Sequence, residues 1–157
     1  RQTPSSGRVG GPGIVQNGRA IYFSHPIFSQ YHQNAPRWCK TLLLNALKLL
    51  LPEPLLRHSG PSTLFAALNE QAAEHRWILH ALHCIPERRG LDFDVIEDVI
   101  PLHEVKFSIK TDRPVRSVVA VPQNQSLSFH LANGRVEFIL PRLEGHQMVA
   151  LSFGATD

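Results

Sequence analysis

The apolar positions change their spacing near residue 60. Before it they form one continuous run and one wide helical stripe; after it they alternate with polar residues at a period of two. The first stretch opens in Gly, Pro and Ser up to Gly18, which reads as loop. "AIYF" (20–23) then places four apolar or aromatic residues in a row, the pattern of a strand covered on both faces. "SHPIFSQYHQN" (24–34) is a polar connection in which Ile27, Phe28 and Tyr31 are expected to pack down onto the end of the sheet. Asn34 is placed to cap a helix running from about Ala35 to Leu51, with Pro36 tolerated in its first turn and Pro52 and Pro54 ending it.

On that helix Arg37, Thr41, Asn45 and Lys48 share one narrow stripe, and Trp38, Leu42, Leu43, Ala46, Leu47, Leu49 and Leu50 take most of the remaining circumference. So wide an arc exceeds what a surface helix against one small sheet requires, and it implies a further element or another chain beside it. A single strand and helix cannot complete a parallel sheet, which needs neighbouring strands and a layer on each face.

"LLRHSGPS" reads as a crossing between domains, dividing the chain into 1–58 and 59–157. Beyond it "TLFAALNEQ" and "RWILHALHC" are strands joined through "AAEH", followed by "VKFSIK" and "RSVVAVP". "LSFHLA" and "RVEFIL" flank Asn133-Gly134, a pair suited to a turn whose two central residues take positive φ. Val136, Phe138 and Leu140 are then expected to face the core. "HQMVALSF" closes the series with Val149, Leu151 and Phe153 on one side. Seven short strands without a convincing helix predict an antiparallel β-sandwich of about 100 residues. The fold class is therefore α+β.

Composition narrows the function classes. The 157 residues contain 43% hydrophobic and 18% charged positions, as in an ordinary globular protein. Sixteen Lys and Arg against thirteen Asp and Glu leave a charge of +3, scattered with no basic run longer than Arg88-Arg89, which argues against nucleic acid as a partner. The opening "RQTPSSGRVGGPG" lacks the apolar core of a secretory signal, and the apolar run from Leu42 to Leu51 is too short to span a bilayer. A cytoplasmic protein with no membrane partner is expected. Cys39 and Cys84 read as reduced, buried thiols rather than a disulfide framework.

Little of the sequence carries chemistry. The densest acids, Glu87, Asp92, Asp94, Glu97, Asp98 and Glu104, could in principle supply a pair for general acid and base work. They are interleaved with Arg88, Arg89, His103 and Lys106, and punctuated by Leu91, Phe93, Val95, Ile96, Val99 and Ile100. A long loop held by ion pairs and apolar anchors is the preferred reading; docking against another domain is the other. His25, before Pro26 at the end of the first strand, lies where α/β proteins place ligands, but a packed or solvated loop histidine is the preferred reading. His80 and His83 are three apart on a strand and point to opposite faces, so they make no metal pair. No nucleophile elbow, P-loop, dinucleotide fingerprint or zinc spacing occurs. Neither a catalytic residue, a metal site nor a cofactor is assigned.

The stretch "GPGIVQNGRAIYFSHPIFSQYHQNAPRWCKTLLLNALKLLLPEPLLR" resembles the end of the β-galactosidase trimerisation domain of glycoside hydrolase family 42 and related hydrolases. "CIPERRGLDFDVIEDVIPLHEVKFSIKT" and "VPQNQSLSFHLANGRVEFILPRLEGHQMVALSF" resemble the small C-terminal β-domain that ends such chains. The resemblance runs from about Gly11 to Phe153. It implies that 1–58 is a fragment of a flavodoxin-like α/β domain, preceded in the same polypeptide by a catalytic (β/α)8 barrel and assembled as a homotrimer. The catalytic glutamates of that family sit on the barrel, so no residue here inherits their role. A stand-alone carbohydrate-binding β-sandwich is the alternative. Against it, Trp77, Phe107, Phe129 and Phe138 alternate like core residues rather than presenting exposed rings.

Overall fold

The computed structural model describes residues 7–8 and 10–154. Residues 1–6 and Val9, part of the stretch read as opening loop, lie outside the described residues. The chain divides into two compact units, 1–53 and 54–157.

The first unit departs from expectation at its strand. Ala20–Phe23 (β2) is extended, but it pairs antiparallel with Ile14–Asn17 (β1), a segment read as loop. Gly18 (φ +55) stands first in the two-residue turn, where a side chain would be strained and where a hairpin of this kind wants glycine. β2 is also not covered on both faces: Ala20 and Tyr22 are exposed, Tyr22 to 69%. The connection that follows is not a loop. Ile27–Asn34 forms a two-turn helix (α1) with Ile27 buried, while Phe28 and Tyr31 are exposed.

Asn34 therefore ends a helix rather than capping one. Ala35 takes a left-handed conformation (φ 45) and its N–H donates to the Tyr31 carbonyl at 2.8 Å. The break falls there because a residue preceding proline is driven out of the helical region. Pro36 is extended and leads into the second helix, Arg37–Leu50 (α2). Cys39 and Ala46 are its buried residues. Leu42, Leu43 and Leu50 are half-buried, but Trp38 is 51% and Leu47 42% exposed. Much of the wide apolar arc is thus bare.

In the second unit the segment read as an interdomain crossing contains a strand. Leu56–His58 (β3) pairs antiparallel with Leu102–Lys110 (β8), so it belongs with the sandwich and not before it. The predicted strands form as Leu64–Gln71 (β4), Arg76–His83 (β5), β8, Val115–Val121 (β9), Phe129–Ala132 (β11), Arg135–Leu143 (β12) and His146–Phe153 (β13). Three two-residue strands were not anticipated: Glu87–Arg88 (β6) and Asp94–Val95 (β7), which pair together, and Gln125–Ser126 (β10). Two sheets result, ordered β10-β9-β13-β5-β4 and β11-β12-β8-β3, with every pairing antiparallel.

The period-two pattern decides which side chains meet between them. Leu79 and Ala81 from β5, Val118 and Ala120 from β9 and Val149, Leu151 and Phe153 from β13 face Val105, Phe107 and Ile109 of β8 and Val136, Phe138 and Leu140 of β12 in one buried cluster. The Asn133-Gly134 turn has φ 52 and +69, as its sequence required. Gly134→Val is expected to lower stability by about 1 kcal/mol or more, since a β-branched side chain resists positive φ. An unchanged melting midpoint would remove the turn's role in fixing the β11–β12 register.

Candidate functional site

Because core residues occupy alternate positions, the intervening ones on β8 and β12 form the outer face of the four-stranded sheet. Four outer-face residues, one from each strand, line up across it in register: Arg57 opposite Ser108, Ser108 opposite Glu137, and Glu137 opposite His130. These four, with Glu104, Lys106, Ile139 and Pro141 and the Gln125–Ser128 segment, line a cleft of about 840 Å³. That volume lies within the range of small-molecule sites.

The cleft floor is tied together by hydrogen bonds. Ser108 Oγ donates to Glu137 Oε1 at 3.0 Å, and His130 Nε2 lies 3.0 Å from Glu137 Oε2. Ser108 in turn accepts from Arg135 Nε at 2.7 Å. Arg135 is 5% exposed and donates further to the carbonyls of Ser108 (2.8 Å), Pro54 (3.0 Å) and Leu55 (3.3 Å). A buried guanidinium thus orients the serine that orients the carboxylate, through charge-assisted contacts. Glu104 approaches the same cleft from an unusual backbone. It sits inside β8 with φ 53, between the pairs His103–Arg142 and Val105–Leu140 of an unbroken β8–β12 register. Pro141, which cannot donate to the ladder, stands at the position opposite it.

The residues singled out from sequence behave otherwise. In the acidic stretch, Arg88 Nε meets Asp94 Oδ1 at 2.8 Å, and Arg89 bridges Glu87 (2.7 Å) and Glu97, all substantially exposed. The ion-paired loop is as expected, but its apolar anchors are not. Leu91 is 96% exposed, and Phe93, Ile96, Val99 and Ile100 are exposed as well. Of the six acids only Glu104 lines the cleft. His25 lies in the turn after β2, where its carbonyl accepts from the Ile27 N–H at 2.8 Å. That strand is one arm of a hairpin, so His25 does not stand at the end of a parallel strand.

His80 and His83 do face opposite ways. His83 is buried on the core side with an Nδ1 that has no hydrogen-bond partner among the described residues. On the outer face, His80 Nδ1 lies 3.2 Å from His146 Nε2, with the rings stacked. Trp77 packs edge-on against Phe153, Phe107 and Phe138 stack in the core, and Phe129 is half-buried. Cys39 and Cys84 are free thiols, the first buried and the second half-buried. Among the described residues no group of three His, Cys, Asp or Glu could hold a metal ion, and no helix is long and apolar enough to cross a membrane.

Sequence reading missed Arg57, Ser108, His130, Arg135 and Glu137. The signal was present, since Glu104-x-Lys106-x-Ser108 and Arg135-x-Glu137 are the polar halves of the two central alternating strands.

No family model and no curated protein matches the chain. Among solved structures it is similar to the α-L-fucosidase isoenzyme 2 from Paenibacillus thiaminolyticus, at 36% identity and a TM-score of 0.90 over 97% of this chain. The chain is thus similar to part of a glycoside hydrolase. It spans 23% of the length of the fucosidase chain it matches. The likeness extends through the hairpin and helices as well as the sandwich, since 97% coverage leaves no room to omit either unit.

Proposed function

We propose that this chain is the non-catalytic C-terminal region of a β-galactosidase-like glycoside hydrolase, serving domain packing and oligomer assembly. The observation that carries the reading is the ratio of coverages: nearly all of this chain against less than a quarter of the fucosidase. Residues 1–53 are then the end of a trimerisation-like, flavodoxin-like α/β domain, and 54–157, with β3, the closing β-sandwich. An upstream (β/α)8 barrel in the same polypeptide carries the catalysis, and the whole assembles as a homotrimer in the cytoplasm. The free thiols fit a reducing compartment.

The bare arc of α2 supports the assembly role. Trp38, Leu44, Leu47 and Leu49 are all exposed, and each large side chain left in water forfeits about 1.5–3 kcal/mol of burial. The purified 157-residue chain is expected to self-associate in sedimentation velocity across a concentration series, and to show no turnover of aryl-glycosides. A monomer at every concentration would overturn the assembly role. Turnover lost on substituting Glu104 or Glu137 would overturn the non-catalytic one.

A further inference from the structure

We propose that the outer-face cleft of the four-stranded sheet binds a neutral saccharide. The inference is independent of the assembly role above and rests on three features of the cleft itself.

The first is strain. Glu104 holds a left-handed backbone (φ 53) in the middle of a strand, a conformation that costs free energy for any residue with a side chain. Strained backbone of this kind clusters at ligand sites, and here the strained residue carries a carboxylate that lines the cleft. The second is preorganisation. Glu137 is fixed by one hydrogen-bonding partner at each oxygen, Ser108 and His130, leaving further lone pairs for a ligand. Behind them Arg135 is too deeply buried to be a surface accident.

The third is the mixture of charge. Arg57 and Lys106 share the cleft with Glu104 and Glu137. An anion would face two carboxylates, and a cation would face the guanidinium and ammonium. A polyhydroxylated neutral ligand uses both signs, since each hydroxyl donates to a carboxylate and accepts from Lys or Arg. Exposed Ile139, together with Pro141, provides an apolar ledge for the C–H face of a pyranose ring.

The test is a glycan array carrying neutral, sialylated and sulfated oligosaccharides, probed with the fluorescently labelled full chain. Neutral glycans are expected to be retained, and Glu137→Gln and Glu104→Gly each to weaken retention by roughly tenfold or more, the scale of a lost charge-assisted hydrogen bond. Glu104→Gly relieves the strained φ, so its melting midpoint is expected at or above the parent's. A loss of binding by that variant would therefore not reflect unfolding. The proposal fails if no neutral glycan is retained, or if both variants bind as the parent does. It also fails if only sulfated or sialylated glycans are held and raised salt releases them, which would make the cleft an anion site. None of these results bears on self-association, so the assembly role stands or falls separately.

Discussion

Phe107→Ala is expected to lower the thermal midpoint of the chain by about 10 °C or more, from a cost of about 3–5 kcal/mol for truncating a buried phenylalanine. Phe107 is 1% exposed and lies opposite Phe138 in the β8–β12 register, their rings stacked at 5.6 Å. Removing one ring leaves the other against a void in the largest buried cluster, which close packing cannot fill without moving both sheets. Phe138→Ala is expected to cost a similar amount, and the double variant less than the sum, because the two rings share one contact. Phe65 on β4 provides the control. It is 67% exposed, and its truncation is expected to stay within about 0.5 kcal/mol. Thermal melts of the four variants decide the matter. Equal midpoints for Phe65→Ala and Phe107→Ala would mean that the inward face of the sandwich has been assigned to the wrong residues.

That inward face was the part most legible in the sequence. Val136, Phe138 and Leu140 alternate with Arg135, Glu137 and Ile139, and Asn133-Gly134 fixes the register that sends the first set inward. Period, turn chemistry and burial agree there, so local reading sufficed. Leu56–His58 was illegible because three residues beside Ser59, Gly60 and Pro61 carry too little periodicity to declare a strand; it exists by pairing with β8 far along the chain. α1 was hidden for a different reason. Its apolar Ile27, Phe28 and Tyr31 do have helical spacing, but Pro26 before it and Asn34 and Pro36 after it read as loop punctuation.

The cleft was less legible than the core because its residues are brought together by register, not by sequence proximity. Arg57, Ser108, Glu137 and His130 come from four strands and form a row only once β3, β8, β12 and β11 are aligned. Nor could a glutamate at position 104 announce a positive φ. Asparagine or glycine would have signalled one, whereas glutamate holds it only because the surrounding ladder leaves no alternative. The acid-rich stretch drew attention for the wrong residues, and its one member in the cleft is the one outside the exposed loop.

Arg135→Met is expected to destabilise the chain by about 3 kcal/mol, although methionine retains much of the apolar stem. Arg135 flanks the Asn133-Gly134 turn of the β11–β12 hairpin, opposite Lys110 on β8, and its guanidinium reaches across β8 to the chain leading into β3. Four donated bonds run from it, two to Ser108 and one each to the Pro54 and Leu55 carbonyls. Leu55 also accepts from the Lys110 N–H at 2.8 Å, and exposed Pro54 has access to water, so those two acceptors tolerate the loss. Ser108 tolerates it less, because its half-buried hydroxyl and carbonyl both lose their charged donor. Arg135→Lys is expected to recover only part of the stability, since an ammonium cannot span Ser108 and the β3 lead-in with the fork of a guanidinium. Urea denaturation is the measurement: a lower midpoint with an unchanged slope marks a native-state loss. A midpoint within about 0.5 kcal/mol of the parent would show that the buried arginine is dispensable, and that Ser108 and Glu137 hold the cleft floor without it.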